Sequence, residues 1–330
     1  MEYRTIGQTS IEVSEIAMGL WGVSGGDVWG DQAERDAIDA IHAAIDEGVT
    51  FFDTAEGYGD GYSEELLGKA LETRDRDDLV VATKVSAGNL RPEDLKSACE
   101  RSLERLNTDY VDVYYVHWPN RDVPLRETMR AMRELRDEGR IRAIGVSNFG
   151  QRDLRAALEH APVAVNQLPY SLLWRTIENG LLGTYLENGV SVTSYSSLCL
   201  GLLTGKFRTP GDVPDGRART RHFSPERPGT RHDGPGLEAE TFATIDAIRE
   251  VASDCDVDMT KLALAWLLSR PGLTSAVVGA RNPEQARDNA AAADLSLSGE
   301  TVAALDRATA DLKEALGSNH DMYQTDSRYQ

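Results

Sequence analysis

The chain has 330 residues, of which 41% are hydrophobic, and its formal net charge at pH 7 is −19. This length and apolar content are enough for one large domain, and α/β barrels often reach this size as a single unit. The excess of acidic side chains argues against nucleic-acid binding, which needs a basic surface.

The composition also bears on the cellular compartment. No apolar run approaches the roughly 18 residues that cross a bilayer, and the N-terminus has no basic region followed by an apolar core. The cysteines Cys99, Cys199 and Cys255 are odd in number and widely spaced, which indicates reduced thiols. We therefore expect a cytoplasmic protein without a membrane partner.

The first predicted element is a β-hairpin from Tyr3 to Val13, with its turn near residues 8–10. After it, short apolar runs alternate with segments of helical periodicity, such as Ile38, Ile41 and Ile45. The apolar runs are nearly continuous, which is typical of strands buried on both faces of a parallel sheet. Such strands are predicted near residues 16–20, 50–53, 79–84, 110–116, 142–147, 163–167, 190–195 and 275–279.

Strands that alternate with helices in this way predict a (β/α)8 TIM barrel. A doubly wound sheet is the alternative, but no G-x-G-x-x-G motif follows a first strand. Gly57-Tyr58-Gly59 begins that motif, yet position 62 is tyrosine. A nicotinamide cofactor, if used, would not bind through the Rossmann motif.

The segment 207–236 interrupts this alternation. It is rich in glycine, proline and arginine, and long segments without regular structure are uncommon inside a domain and often functional. One interpretation is a lid over a cofactor, with its arginines near the phosphates; the other is a solvated surface loop. Extra C-terminal helices follow, so we predict a single domain over 1–316 and a flexible polar tail over 317–330.

Polar residues collect where the predicted strands end. Barrel enzymes build their sites at the C-terminal ends of the strands, and polar groups elsewhere in a barrel strand would be costly to bury. The residues in these positions are Asp53, Lys84, His117, Ser147, Asn148, Gln167, Tyr195, Ser196 and Arg281.

A mechanism follows if these strand ends converge. Tyr58 lies in a glycine-flanked loop after Asp53, and a tyrosine with a pKa near 10 becomes a better proton donor beside a cation. Lys84 provides that cation, Asp53 holds Lys84, and His117 orients a carbonyl group. Taken singly, the same residues are also explained as a loop tyrosine, a structural ion pair and a buried core histidine.

The four residues Asp53, Tyr58, Lys84 and His117 resemble, in order, the catalytic tetrad of the aldo-keto reductases. The surrounding sequences resemble that family too, from about Tyr3 to about Leu316, and most closely its general-stress-protein and potassium-channel β-subunit branches. These sequences are FFDTAEGYGDGYSEELLGKAL, VVATKV, VDVYYVHWPN, IRAIGVSNF, NQLPYSLL, SLCLGLLTGKF and VVGARNPEQARDN. The resemblance implies reversible reduction of an aldehyde or ketone, with hydride from NADPH and a proton from Tyr58.

The resemblance also assigns cofactor-binding residues. In this family, equivalent residues hold the nicotinamide carboxamide, stack on its ring, wrap the pyrophosphate and bind the adenosine. In the same order they are Ser147, Asn148 and Gln167; Tyr195; Ser196, Leu198, Gly201, Leu203 and Lys206; and Gly279, Arg281, Gln285 and Asn289.

Arg281 decides the expected cofactor. At a helix start it is suited to the 2′-phosphate of NADPH, because guanidinium groups and helix N-termini both favour anions. We therefore expect NADPH, with NADH as a weaker cofactor. The family often has lysine or serine here and an acidic residue just before the final asparagine, whereas this chain has Ala280-Arg281 and Asp288. The alternative for Arg281 is a solvated surface arginine.

The tryptophans Trp21, Trp29 and Trp118 are expected to form the wall of a substrate pocket. Aromatic walls suit apolar or sugar-like carbonyl compounds and do not distinguish between them. Trp118 directly follows His117, whereas Trp29 is also explained as a core residue.

Other chemistries are excluded by missing motifs. The chain has neither H-E-x-x-H nor histidines at metal-ligand spacing, so no metal site is expected. It also lacks G-x-S-x-G, and the stretch 201–206 is one residue too short between its glycines for a P-loop.

Two alternatives to an enzyme of carbonyl reduction remain at this stage. One is a cofactor-binding redox sensor or regulatory subunit with slow turnover, and the other is a barrel isomerase that binds no dinucleotide. The expected partner is a small-molecule carbonyl substrate, and the expected assembly is a monomer or a small homo-oligomer.

The charge balance suggests adaptation to high salt. Only 6 of the 35 basic residues are lysine, against 54 acidic residues. Such a chain repels itself at low ionic strength, and salt screens the repulsion, with a Debye length of about 3 Å at 1 M. We interpret the protein as halophilic; an ordinary acidic enzyme from a GC-rich genome is the alternative.

We expect the melting temperature to rise as KCl increases from low to molar concentration, because screening relieves repulsion among the acidic side chains. Thermal unfolding followed by circular dichroism measures this, with NaCl at equal ionic strength to separate screening from an effect of potassium. A melting temperature indifferent to both salts would contradict halophily.

Overall fold

The strands form a small hairpin sheet and a closed barrel. A computed structural model describes residues 1–330, and eight of the ten strands are parallel and follow each other around the barrel. The strands are β1 (Tyr3–Thr5), β2 (Glu12–Ser14), β3 (Ile16–Gly19), β4 (Phe51–Asp53), β5 (Val80–Val85), β6 (Val111–Val116), β7 (Ile141–Ser147), β8 (Val165–Pro169), β9 (Ser191–Tyr195) and β10 (Leu273–Gly279). Each of the predicted barrel strands overlaps one of β3–β10.

Helices surround the barrel and connect its strands. They are α1 (Gly26–Trp29), α2 (Glu34–Asp46), α3 (Tyr62–Leu71), α4 (Pro92–Leu106), α5 (Leu125–Asp137), α6 (Gln151–Leu158), α7 (Leu181–Glu187), α8 (Glu238–Asp254), α9 (Met259–Leu268), α10 (Pro283–Ala291), α11 (Gly299–Ala308) and α12 (Ala310–Leu316). The predicted C-terminal helices are α11 and α12, and Trp266 of α9 donates to Asp306 of α11. None of the helices combines the length and the apolar character that crossing a bilayer requires.

Closure of the barrel depends on the pairing of its last strand with its first. β10 pairs with β3 from Ala276 opposite Ile16 to Gly279 opposite Gly19. Because every strand is parallel, all C-terminal strand ends lie at one end of the barrel. The predicted (β/α)8 TIM barrel is therefore confirmed.

The N-terminal hairpin covers the opposite end. β1 and β2 are antiparallel, and Ile6, Ile11 and Val13 are buried against residues of the barrel interior such as Phe51 and Val165. These contacts fill the barrel from below and leave the C-terminal strand ends free for a site.

The long connection, residues 207–236, is packed against the barrel. It contains no strand or α-helix, but Ala218, His222 and Phe223 are fully or almost fully buried. His222 joins it to the chain at Leu173, with 2.9 Å between its Nε2 and the Leu173 carbonyl oxygen. The alternative of a solvated surface loop is therefore wrong, because these side chains supply burial that the segment's polar composition did not indicate.

The expected loose tail over 317–330 is also wrong for this structure. Asp321 and Met322 are fully buried, and Asp321 accepts three hydrogen bonds from Arg328, two from its guanidinium and one from its backbone amide. The backbone carbonyl of Gln330 accepts from the amide groups of Arg152 and Asp153 at the start of α6. The polar groups that indicated solvation are instead paired within the tail and with the barrel.

Candidate active site

A cavity of about 1240 Å³ opens at the C-terminal ends of the barrel strands. Typical pockets for small ligands measure about 300–1,000 Å³, so this one has room for a larger ligand or for two. Most of the predicted site residues border it: Trp21, Trp29, Asp53, Tyr58, His117, Trp118, Ser147, Asn148, Gln167, Tyr195, Ser196, Leu198, Gly201, Lys206, Gly279, Arg281, Gln285 and Asn289.

A buried ion pair lies at the base of this cavity. Lys84 on β5 is fully buried, and its Nζ lies 2.5 Å from Oδ1 of Asp53 at the end of β4. The same ammonium donates to the carbonyl oxygen of Thr54 at 2.8 Å. Gln167 on β8 donates to the second oxygen, Oδ2 of Asp53, at 2.8 Å. Strands from two sides of the barrel thus hold one carboxylate, as a buried charge requires.

Tyr58 is held above this pair by a loop of unusual backbone geometry. Gly59, Asp60 and Gly61 all have positive φ, of 60°, 53° and 97°, a conformation that glycine adopts without strain. The Tyr58 hydroxyl lies 3.4 Å from Nζ of Lys84. The predicted contact between the tyrosine and the cation therefore exists.

The protonation of Tyr58 differs from the sequence-based expectation. Burial raises the pKa of Tyr58 above its usual value, and this outweighs the opposing effect of Lys84. Lys84 stays charged, because although burial lowers its pKa, Asp53 and Tyr58 raise it by more. The site therefore holds a protonated phenol beside an ammonium ion, which is a state that can donate a proton.

His117 follows β6 and faces Tyr58. The two rings meet edge to face, with centroids 5.7 Å apart. Burial, and secondarily the charge of Lys84, lower the pKa of His117 to about 3. A neutral imidazole keeps one N–H donor for a substrate oxygen without introducing a second buried cation.

The residues expected to hold a nicotinamide carboxamide form one network. Asn148 has φ of 63°, and its amide donates to the carbonyl of His117 and to Oγ of Ser147. Its Oδ1 accepts from Tyr195 at 2.9 Å and from Tyr329 at 2.6 Å. An asparagine amide has two N–H donors and two lone pairs, so all four are occupied.

Unlike Asn148, its predicted neighbours Ser147 and Gln167 keep free hydrogen-bonding positions. Ser147 donates to the carbonyl of Gln167 and receives one bond, which leaves an acceptor site on its hydroxyl. Gln167 uses its amide nitrogen on Asp53, and its side-chain oxygen, Oε1, has no partner in the protein. Ser147 and Gln167 are thus the members with capacity for a ligand.

The segment after β9 has a strained backbone. Ser196, Cys199 and Leu200 have φ of 52°, 47° and 54°, and Gly201 has φ of 93°. Non-glycine residues in this region cluster at ligand sites. Leu203, which was expected in the loop that wraps the pyrophosphate, has its side chain fully buried in the hydrophobic core and does not border the cavity. Its side chain therefore anchors this loop to the core, and a cofactor contact from its backbone stays a prediction.

One side of the cavity carries cations without carboxylate partners. Burial lowers the pKa of Lys206, and the charges of Arg217 and Arg281 add to the effect. Burial and Arg281 likewise lower the pKa of Arg217. Like charges raise each other's energy when they are held together, so this cluster favours an anionic ligand.

Arg281 also fastens the loop that precedes α2. Its Nε donates to Oε1 of Gln32 at 2.7 Å, and its Nη1 donates to the carbonyl of Trp29 at 2.7 Å; its Nη2 donates to the carbonyl of Asp31. The alternative of a solvated surface arginine is therefore wrong. Gln285 accepts from the Arg281 amide, so this end of the cavity is tied to α10.

Aromatic side chains line the cavity beside Tyr58, and Trp29 among them reaches the cation cluster. Trp21 stacks on Tyr58 with centroids 6.2 Å apart and meets Trp29 edge to face at 5.3 Å. Trp29 borders the cavity and lies under the guanidinium of Arg217 at 4.9 Å, so the interpretation of Trp29 as core is wrong. Trp118 meets Tyr329 of the tail edge to face, with ring centroids 6.0 Å apart.

Some cavity residues were not assigned from the sequence. Arg217, Arg219 and Arg231 of the long connection border the cavity, whereas its other arginines do not. Tyr323 and Arg328 of the tail also border it. Arginine richness was a signal for the first group, but nothing in the local pattern of the tail indicated that it returns to the strand ends.

Comparisons with known proteins find one family over most of the chain. Residues 15–310 match the aldo/keto reductase family. The chain is 38% identical over 299 residues to aldo-keto reductase YhdN of Bacillus subtilis (strain 168), with 86% of each chain covered. It is 35% identical over 319 residues to the NADH-specific methylglyoxal reductase of Escherichia coli (strain K12), with 89% of this chain and 94% of that protein covered.

A solved structure shows the same fold. An aldo-keto reductase from Klebsiella pneumoniae in complex with NADPH aligns with a TM-score of 0.72 at 33% identity, covering 93% of this chain and 95% of the other. The predicted family and the predicted class, an NAD(P)-dependent oxidoreductase, are confirmed by these matches.

The ring of His117 is expected to stay neutral down to about pH 5, because its pKa of about 3 lies far below the usual value. Histidine-selective NMR at a series of pH values measures this, with His117→Gln to assign the signal. The unfolded chain binds this proton below about pH 6.5, so His117 also lowers the free energy of unfolding as pH falls from there. A titration midpoint near the usual histidine pKa would contradict burial of the ring.

Proposed function

This chain belongs to the aldo/keto reductase family, and we propose that it reduces aldehydes and ketones to alcohols with NADPH. The observation that carries the proposal is the buried Lys84–Asp53 pair with the Tyr58 hydroxyl at 3.4 Å from Nζ of Lys84. A tyrosine hydroxyl beside a buried ammonium at the edge of a cavity is placed to give a proton to a bound carbonyl group.

Each residue of this group has a distinct role in the proposal. Tyr58 donates its proton to the carbonyl oxygen as that oxygen gains negative charge. Lys84 stabilises the phenolate that remains, and Asp53 fixes the position of Lys84. Neutral His117 donates a hydrogen bond to the same oxygen and so aligns the carbonyl. The nicotinamide, when bound, supplies the hydride.

The cavity fits a dinucleotide phosphate. Ser147 and Gln167 have free hydrogen-bonding capacity for the carboxamide, and the strained segment after β9 suits the pyrophosphate. The cations Lys206, Arg217 and Arg281 have no carboxylate partner to displace. This surplus of positive charge favours NADPH over NADH, because the 2′-phosphate adds anionic charge.

The relatives leave the cofactor open on their own. One is named as NADH-specific and another was solved with NADPH. For this chain we propose NADPH as the preferred cofactor and NADH as an accepted one.

The long connection is proposed to act as a cover for the cofactor. Its Arg217 lies over the Trp29 ring, and a Cβ at Gly216 would lie 2.7 Å from the backbone oxygen of Asp27. The connection therefore contacts the loop before α2 closely. Together the two loops border the cavity from above.

We also infer a salt-rich cytoplasm as the setting. The net charge of −19 supports this, because acidic surfaces remain soluble where salt screens their repulsion.

Replacing Tyr58 by phenylalanine is expected to lower kcat/KM for NADPH-dependent aldehyde reduction by about 100-fold or more, since general acids contribute roughly 10²–10⁴-fold. Oxidation of NADPH and of NADH is followed at 340 nm in molar KCl with a panel of aldehydes. Tyr62→Phe is the matched control, because Tyr62 does not border the cavity and bonds to Glu34.

The outcomes separate the alternatives. If wild type and Tyr58→Phe both bind NADPH and neither turns over, the redox-sensor alternative is supported instead. If wild type binds no dinucleotide at any salt concentration, the reductase proposal fails.

Cofactor preference is tested at Arg281. Arg281→Gln is expected to raise KM for NADPH about 10-fold or more while changing KM for NADH less, because a charge-assisted bond to phosphate contributes roughly 1.5–3 kcal/mol. Arg287→Gln is the control, as Arg287 lies on α10, the helix that follows Arg281, and pairs with Glu47 outside the cavity. Equal increases for both cofactors would assign Arg281 only to holding the loop before α2.

A further inference from the structure

The tail brings a charged group to the aromatic end of the cavity. Arg328 and Tyr323 border the cavity but belong neither to the Tyr58–Lys84–Asp53–His117 group nor to the cation cluster. This part of the cavity therefore carries a guanidinium group to which neither the catalytic residues nor the cation cluster assigns a role.

Arg328 is held rigidly. Its Nε donates to Oδ2 of Asp321 at 2.7 Å and its Nη2 donates to Oδ1 at 2.8 Å, and Asp321 is fully buried. The guanidinium also lies 3.4 Å from the ring centroid of Trp118, the residue that follows His117. Bidentate pairing and aromatic stacking together fix the plane of an arginine side chain.

The tail that carries Arg328 is fastened on both sides of it. The carbonyl of Arg328 accepts from Nη2 of Arg121 at 2.9 Å. The Tyr329 hydroxyl donates to Asn148 at 2.6 Å, and Tyr329 packs edge to face on Trp118. Arg328 is therefore placed relative to the strand ends and not only to its own segment.

One nitrogen of Arg328 is left over. Nε and Nη2 are used by Asp321, whereas Nη1 has no partner in the protein, and the side chain is 29% exposed. Trp21 and Trp118 offer mainly apolar surface here, and Arg219, which also borders the cavity, lies 5.7 Å from the centroid of the Tyr323 ring. Tyr58 and His117 are committed to the reacting oxygen. Nη1 of Arg328, held against Trp118 next to His117, is thus a donor available for a second oxygen atom of a substrate.

We propose that Arg328 is a specificity-determining residue that selects carbonyl compounds with a second oxygen acceptor, such as a hydroxyl group, near the reacting carbonyl. Asp321 neutralises the guanidinium, so recognition is by a directed hydrogen bond more than by net charge. Simple alkyl aldehydes fit the aromatic walls but leave Nη1 without a partner. This inference rests on the proposed carbonyl reduction.

The test compares two three-carbon aldehydes, glyceraldehyde and propanal, with saturating NADPH. Wild type is expected to show a kcat/KM for glyceraldehyde about 10-fold or more above that for propanal, the range for a hydrogen bond to a charged group. Arg328→Met is expected to lose this preference, with kcat/KM for propanal within about 3-fold of wild type. Arg208→Met is the matched control, because Arg208 is exposed and does not border the cavity.

Further variants separate recognition from docking of the tail. Arg328→Met leaves Asp321 buried without a partner, so Asp321→Asn with Arg328→Met removes both charges together and should give the same loss of preference. Tyr329→Phe weakens the attachment of the tail while keeping Arg328, and should retain the glyceraldehyde preference. The ratio of the two kcat/KM values is the readout, since a purely structural defect lowers both.

Three results overturn the proposal. The first is a glyceraldehyde preference that persists in Arg328→Met, and the second is an equal loss of preference in Tyr329→Phe. The third is a wild type that reduces both aldehydes equally well, which contradicts this inference but leaves the reductase function intact. A wild type that reduces neither aldehyde contradicts the proposed function itself.

Discussion

The structure depends on keeping one lysine charged where no water reaches it. Lys84 is fully buried, and an isolated ammonium in such a place would be too costly to retain. Asp53 and the carbonyl of Thr54 satisfy it, and Gln167 satisfies the other carboxylate oxygen. These contacts need β4, β5 and β8 at fixed heights around a closed barrel. The hairpin that fills the opposite end helps to hold the strands in that register.

The distribution of charge differs between the two ends of the cavity. At one end Lys84 and Asp53 cancel each other and leave a protonated Tyr58 beside a neutral His117. At the other end, Lys206, Arg217 and Arg281 form no ion pair with a carboxylate, and their charges act on one another. The chain as a whole is strongly acidic, so this local excess of positive charge stands out as a place for an anion. Such a division suits a ligand with a reactive uncharged head and an anionic tail.

Two irregular segments complete this cavity, and their local sequence patterns indicate their structure less clearly than those of the barrel strands do. The long connection contributes Arg217, and the tail contributes Arg328. Each is packed by contacts that its own composition does not indicate, such as His222 with the Leu173 carbonyl and Tyr329 with Asn148. Segments rich in polar residues can be ordered when the rest of the fold supplies their hydrogen-bond partners.

The barrel could be predicted from the sequence because its signals are local. A strand buried on both faces must be apolar along its length, and its polar residues must come at its end. The positions of Asp53, Lys84 and His117 at strand ends could therefore be predicted without knowledge of the fold. The tertiary structure decided what depends on groups distant in the chain. Burial in the fold raises the pKa of Tyr58, and neighbouring groups occupy every hydrogen-bonding position of Asn148. The side chain of Leu203 packs into the core, and the tail places Arg328 against Trp118. These outcomes follow from desolvation and from contacts between residues apart in the chain, from 31 positions for His117 with Asn148 to 181 for Asn148 with Tyr329, which local patterns do not encode.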